Sequence, residues 1–174
     1  MITLSEAKAQ LVIDHTDDDS LIVSLIDSAV AMVSSYTCRI LDVETRTQIL
    51  DGFPAVITLD AAPLVSVTSI AYKDTDDADQ TLSSSLYTVD SRDSYAKVTP
   101  VYGSDWPSTT AAPQSVTVTF QAGYSSSPAP LKQAALMIVS SLYEQRENHI
   151  TGTIIARVPV SAEWLMNPYR IQPI

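Results

Sequence analysis

The 174-residue sequence is short of most of the parts from which chemistry is built. Its one cysteine, Cys38, rules out an intramolecular disulfide framework, and no Asn is followed by the x-Ser or x-Thr of a glycosylation acceptor, so synthesis in a cytosol is expected. Four glycines are too few for a Gly-rich phosphate cradle. The two histidines, His15 and His149, fall in predicted loops without a motif around them, and there is no G-x-S-x-G, H-E-x-x-H or dinucleotide fingerprint. Basic residues are scarce as well: 10 Lys and Arg stand against 20 Asp and Glu, a formal charge of −10, and they are scattered singly. A protein that grips phosphates needs clustered cations to release counterions, so sequence-specific binding of nucleic acid is not expected. The opening Met1-Ile-Thr-Leu-Ser-Glu6 lacks a basic stretch followed by an apolar one, and no apolar run approaches the roughly 20 residues of a membrane span. Neither export nor a membrane partner is expected.

What is present is 45% apolar content in one ordinary domain's length of chain, enough for a packed core. Thr3 with Glu6 forms a capping box that opens a short helix to about Ile13. Asp17-Asp18-Asp19 places carboxylates where the next helix dipole favours them, which is read as a cap in preference to a metal site. Leu21, Ile22, Leu25, Ile26, Ala29, Val30 and Val33 then repeat at three- and four-residue spacing, a helix ending near Tyr36. From about Val43 to Tyr124 the period changes to alternation. Strands are expected at 45–50, 55–59, 65–72, 86–89, 96–99 and 116–122, and the last is the clearest, with Val116, Val118 and Phe120 alternating with Thr117, Thr119 and Gln121.

Asp74, Asp76, Asp77 and Asp79 superficially match a calcium loop, but the sixth position is Asp79 where Gly is required and the twelfth is Ser85 where Glu is required. A solvated turn is the better reading, and no metal ligand or cofactor is assigned. The stretch 103–113, containing Trp106-Pro107, is a long loop suited to contact with a neighbouring subunit. Pro128 and Pro130 launch a third helix to about Glu147, with Leu131, Ala135, Ile138 and Leu142 on one stripe. The fold class expected is α+β: an N-terminal helical hairpin and a third helix forming a small bundle, an inserted antiparallel β domain, and a C-terminal extended arm ending in a short helix. Residues 1–147 then make one domain, with helices over 3–36 and 130–147 and the β region over 43–124, and 148–174 make the arm.

That arm concentrates Trp164, Leu165, Met166 and Tyr169 near the C-terminus, where a domain ordinarily frays. Two readings stand: they dock on their own domain, or they dock on another chain, where Trp, Tyr, Met and Arg are the enriched anchors.

Four segments carry a resemblance across nearly the whole chain: Ile2-Thr-Leu-Ser-Glu-Ala-Lys8, Pro63-Leu-Val-Ser-Val-Thr-Ser-Ile-Ala-Tyr-Lys-Asp74, Val118-Thr-Phe-Gln-Ala-Gly-Tyr124, and Pro159 through Trp164-Leu165 to Pro168-Tyr169-Arg170. Leu142-Tyr143-Glu144 with Arg146-Glu147 adds to them. In order and spacing the chain resembles the head-tail connector, or portal adaptor, proteins of tailed double-stranded DNA phages and gene transfer agents. Asp76-Asp77-Ala78 departs from the Asp-Gly turn expected there. The resemblance implies a structural virion protein of the neck, made in the host cytoplasm and not an enzyme. It implies a homo-oligomeric ring of twelve on the portal that meets a stopper or tail-completion protein and leaves a channel through which DNA passes. On that reading Pro159, Trp164, Leu165, Met166, Pro168, Tyr169 and Arg170 dock on the portal, as an arm removable without unfolding the domain. Asp74, Asp76, Asp77, Asp79 and Trp106 line the channel or touch a neighbouring subunit, and the Asp17–Asp19 turn is a second candidate for repelling DNA.

Two rivals come from other classes. A small soluble binding module would use Trp106 and Tyr102 as a stacking platform for carbohydrate or peptide. An enzyme would centre on His15, Asp14 and Cys38, with Arg39 lowering the thiol pKa.

Overall fold

The computed structural model describes residues 1–145 and 160–172. The chain divides into two compact units: a helical one made from both ends of the chain, Met1–Leu41 and Ser126–Gln172, and a β unit from the stretch between them. The class is α+β, with the β unit inserted between helices.

In the helical unit α1 (Leu4–Leu11) opens on the capping box, Thr3 Oγ1 accepting from the Glu6 amide at 3.2 Å and Glu6 Oε2 accepting from the Thr3 amide at 2.8 Å. It stops where Val12 turns left-handed at φ 59°. Next comes α2 (Asp19–Thr37), closed by Cys38 at φ 55°. The third helix, α3 (Ala129–Glu144), begins with Pro130 in its first turn, where no intrahelical N–H is missed. Ile22, Ile26, Ala29 and Val33 of α2 are buried, as are Leu131, Ala134, Ala135, Ile138 and Val139 of α3, and the two helices pack together with α1. Small residues at 29, 134 and 135 suit that close approach.

The acidic turn before α2 does not cap it as expected. Asp18 is the N-cap residue yet its side chain makes no capping bond. Its Oδ2 accepts from the Tyr143 hydroxyl at 2.5 Å, while Asp19 pairs with Lys8 Nζ at 2.7 Å. The carboxylates tie α3 and α1 to the start of α2.

A second correction concerns membrane length. By length and composition α2 is sufficient to cross a bilayer, 19 residues with mean hydropathy 1.4. Five serines and two aspartates interrupt that run, and its apolar stripe packs on α1, α3 and the short C-terminal helix α4 (Val160–Met166).

The β unit contains β1 (Glu44–Leu50), β2 (Ile57–Thr58), β3 (Leu64–Lys73), β4 (Asp79–Thr81), β5 (Tyr87–Asp90), β6 (Lys97–Pro100) and β7 (Val116–Ala122). They form two antiparallel sheets, β1-β7-β3-β4 and β2-β6-β5. Central β7 buries Val116, Val118, Phe120 and Ala122 and turns Thr117, Thr119 and Gln121 the other way. The Gln48 amide joins the sheets, donating to Thr58 O at 3.1 Å and accepting from the Asp60 amide at 3.2 Å. β2 is shorter than its 55–59 pattern suggested. β4 was not anticipated, because Asp-Gln-Thr has no apolar residue to alternate; its ladder with β3 holds it. At the exit of β7, Gly123 has φ 125°, and a Cβ there would lie 2.2 Å from Asp42 O, so only glycine fits.

Candidate functional site

The C-terminal segment is built by helical spacing. Ala162 and Met166 lie one turn apart and are 0% and 1% exposed, and Ile171 is 7% exposed. Between them Trp164 points away and is 74% exposed. A short 3-10 turn, Asn167–Tyr169, follows α4 and is pinned from α2 and the residues after it. Tyr36 Oη donates to Asn167 Oδ1 at 2.7 Å, Arg39 Nε donates to Tyr169 O at 2.6 Å, and the Ile171 amide donates to Thr37 O at 3.0 Å, which satisfies one of the carbonyls left open at the end of α2. The Arg170 guanidinium lies over the Tyr36 ring, 5.1 Å from its centroid.

Residues 160–172 therefore fold against the helical unit and expose Trp164 from that base. Leu165 and Tyr169 are half-buried, and Pro168 and Arg170 are exposed. Pro159 lies outside the described residues. Met166 is a correction to the expected docking set: its side chain is spent on the unit's own core and offers no surface to a second chain. Removal of the whole segment without loss of fold is corrected for the same reason. Sequence reasoning missed Tyr36 and Arg39 because nothing local links them to residues about 130 positions away.

The acidic turn in the β unit is closed by its own groups. Asp74 Oδ1 accepts from the amides of Asp76 and Ala78 at 2.9 and 3.0 Å, and Oδ2 accepts from Gln80 Nε2 at 2.9 Å. The Gln80 contact first, then the Ala78 amide, hold the Asp74 carboxyl below the usual aspartate range. Asp77 occupies the left-handed position at φ 63°, where an Asp-Gly turn would have its glycine, and pairs with Lys73 at 3.2 Å. Asp76, Asp77 and Asp79 are exposed. Among the described residues no group of three His, Cys, Asp or Glu is placed to hold a metal.

Trp106 does not stand out from its loop. Its ring stacks on Phe53, with centroids 4.8 Å apart and planes 9° apart, and Phe53 meets Tyr72 edge-on at 5.6 Å. Its Nε1 is buried with no acceptor among the described residues. Tyr102 is fully exposed. With one face of Trp106 taken by Phe53, the Trp106–Tyr102 platform is not assembled. Phe53, in a loop next to Pro54, carried no signal for this role. Cys38 is half-buried with Sγ 3.7 Å from Ser35 O, an ordinary helix-end contact.

Residues 1–101, more than half of the chain, match the family model described as phage gp6-like head-tail connector protein. The chain belongs to that family. No curated protein matches the connector in sequence. Among solved structures it is similar to a chain in the neck of an empty gene transfer agent particle computed with C6 symmetry, with TM-score 0.79 and 18% identity over 99% of this chain and 91% of that one. A chain in the virion of a native gene transfer agent particle gives 0.78 and 18% over the same shares. One in the neck of the native particle computed with C12 symmetry gives 0.76 and 19% over 98% and 89%. At these identities the likeness establishes the shared fold. As a member of that family the chain is a structural protein and not an enzyme.

Proposed function

We propose that the connector sits in the virion neck as a ring of twelve subunits on the portal, and joins it to a stopper or tail-completion protein around a channel for DNA. The observation that carries this reading is Trp164: a large aromatic held 74% exposed on a helix whose other face is anchored in the core. An exposed Trp on a rigid base is a typical interface anchor, since little further ordering is needed when a partner covers it. Trp164, with Leu165, Pro168, Tyr169 and Arg170 around it, is the portal-docking patch, and Met166 is its root. The similar folds occur in necks computed with C6 and with C12 symmetry, which fits a cyclic assembly. In the same reading the exposed carboxylates of Asp76, Asp77 and Asp79 face the channel or a neighbouring subunit, and the acidic balance of the chain keeps passing duplex mobile without sequence-specific contacts.

The test is a point variant, because truncation would remove Ala162, Met166 and Ile171 from the core. Trp164→Ala is expected to keep the wild-type circular dichroism and melting curve and to bind the cognate portal at least about thirtyfold more weakly, the scale of a central aromatic anchor. Wild-type affinity in that variant would sink the docking assignment.

A further inference from the structure

The sheet β1-β7-β3-β4 has a second face that neither the core nor the docking patch uses. The strand register aligns Thr45, Gln121 and Ser66 in one row, Thr47, Thr119 and Ser69 in the next, and Ile49, Thr117 and Ala71 in a third. Side chains alternate along a strand, so these nine share the face opposite Val118 and Phe120. Thr45, Thr47, Ile49, Ser66 and Gln121 are exposed, and the remaining four are half-buried among their small neighbours. None of the nine is charged, in a chain with 20 acidic and 10 basic residues. The charges of β1, Glu44 and Arg46, fall on the other parity and pair with each other at 2.8 Å. At the far end of β3, beyond the nine, the same face carries Lys73 opposite Asp79 of β4, and Lys73 also pairs with Asp77 at 3.2 Å. Ile49 at one end of these strands and Val65 and Val43 at the other are 53%, 49% and 43% exposed, which adds apolar groups at both borders.

We propose that this neutral face is the surface through which each subunit meets the next copy of the chain. The inference rests on the ring reading. Copies that each carry a formal charge of −10 repel wherever carboxylates are brought together, and like charges juxtaposed in a contact cost several kcal/mol. A three-strand surface of hydroxyls, one amide and short apolar groups is where a second acidic copy approaches without that penalty. Ser and Thr also lose little rotamer freedom when covered, and their hydroxyls donate or accept to suit the partner. Closure into a ring requires a head-to-tail contact, so the face meets a different patch on the neighbour and does not pair with itself.

Thr47→Cys, made with Cys38→Ser and labelled by a maleimide before and after assembly on the portal, reads the face directly. The expected result is fast labelling of the free chain and labelling at least tenfold slower in the ring. Equal rates in a ring of normal mass would overturn the surface assignment while leaving the ring reading intact, whereas a wild-type chain that forms no ring would overturn both. As a second variant, Thr119→Glu is expected to fold and remain monomeric beside the portal; a Thr119→Glu ring would contradict the proposal.

Discussion

In the helical unit four polar ties join residues more than 120 positions apart: Lys132 to Glu6 at 2.8 Å, Tyr143 to Asp18 at 2.5 Å, Arg39 to Tyr169 and Tyr36 to Asn167. In the β unit several of the side-chain ties are local, Arg92 to Asp90, Lys97 to Asp93, and Asp74 to its own turn, while long-range order comes from the backbone ladders of β7 with β1 and β3. Two ends of a chain make a bundle only if something holds them in register, and packed helices leave that to apolar stripes and a few charged or hydroxyl pairs. A sheet carries its register in the backbone. Its outward side chains are then released from that task, and on β1, β7 and β3 the nine aligned outward positions carry no charge.

The largest expected effect sharpens this division. Phe120→Ala removes the largest fully buried side chain among the described residues, and is expected to cost the β unit about 3–5 kcal/mol. Hydrogen exchange during guanidinium titration should show β7 amides opening early while α3 amides keep their protection; equal loss in both would break the comparison. Next in size, Met166→Ala is expected to destabilise the helical unit by about 2–5 kcal/mol, while the neighbouring surface change Trp164→Ala stays within about 0.5 kcal/mol in the same thermal melt. Gly123→Ala forces a side chain onto Asp42 O in a left-handed backbone, with an expected loss of about 1–3 kcal/mol in urea denaturation, confined to the β unit. The smallest effect is the part of the acid dependence that Glu6 gives the helical unit. The Glu6 carboxyl is lowered from 4.5 to about 2, chiefly by the Lys132 hydrogen bond and then by the Thr3 amide. Because the folded chain favours the charged form, this contribution is intact above pH 4.5 and fades as the pH falls toward 2. Glu6→Gln should flatten the acid limb of the α1 and α3 transition and leave the β unit unchanged.

Local signals in the sequence accounted for much of the fold. The Thr3–Glu6 box, the α2 stripe and the alternation from Val116 to Ala122 each lie within one element, where periodicity and capping act directly. β4 was not legible because its pairing with β3, not its residue types, makes it a strand. The roles of Asp18 and Asp19 were half legible: their place before a helix was clear, but the competing donors, Tyr143 and Lys8, are supplied by tertiary structure. The same holds for the C-terminal segment. Its apolar weight marked it as consequential, but only the helix geometry separates Met166, which faces inward, from Trp164, which faces out. The neutral sheet face was written in the sequence as Thr and Ser at alternate positions, yet it becomes one surface only when β1, β7 and β3 are aligned.

The most direct test of the account is the mass of the full chain, alone and mixed with its cognate portal, by native mass spectrometry or light scattering. The account predicts a stoichiometric ring, either preformed or assembled on the portal with one connector per portal subunit. A chain that remains monomeric and indifferent to the portal would contradict it.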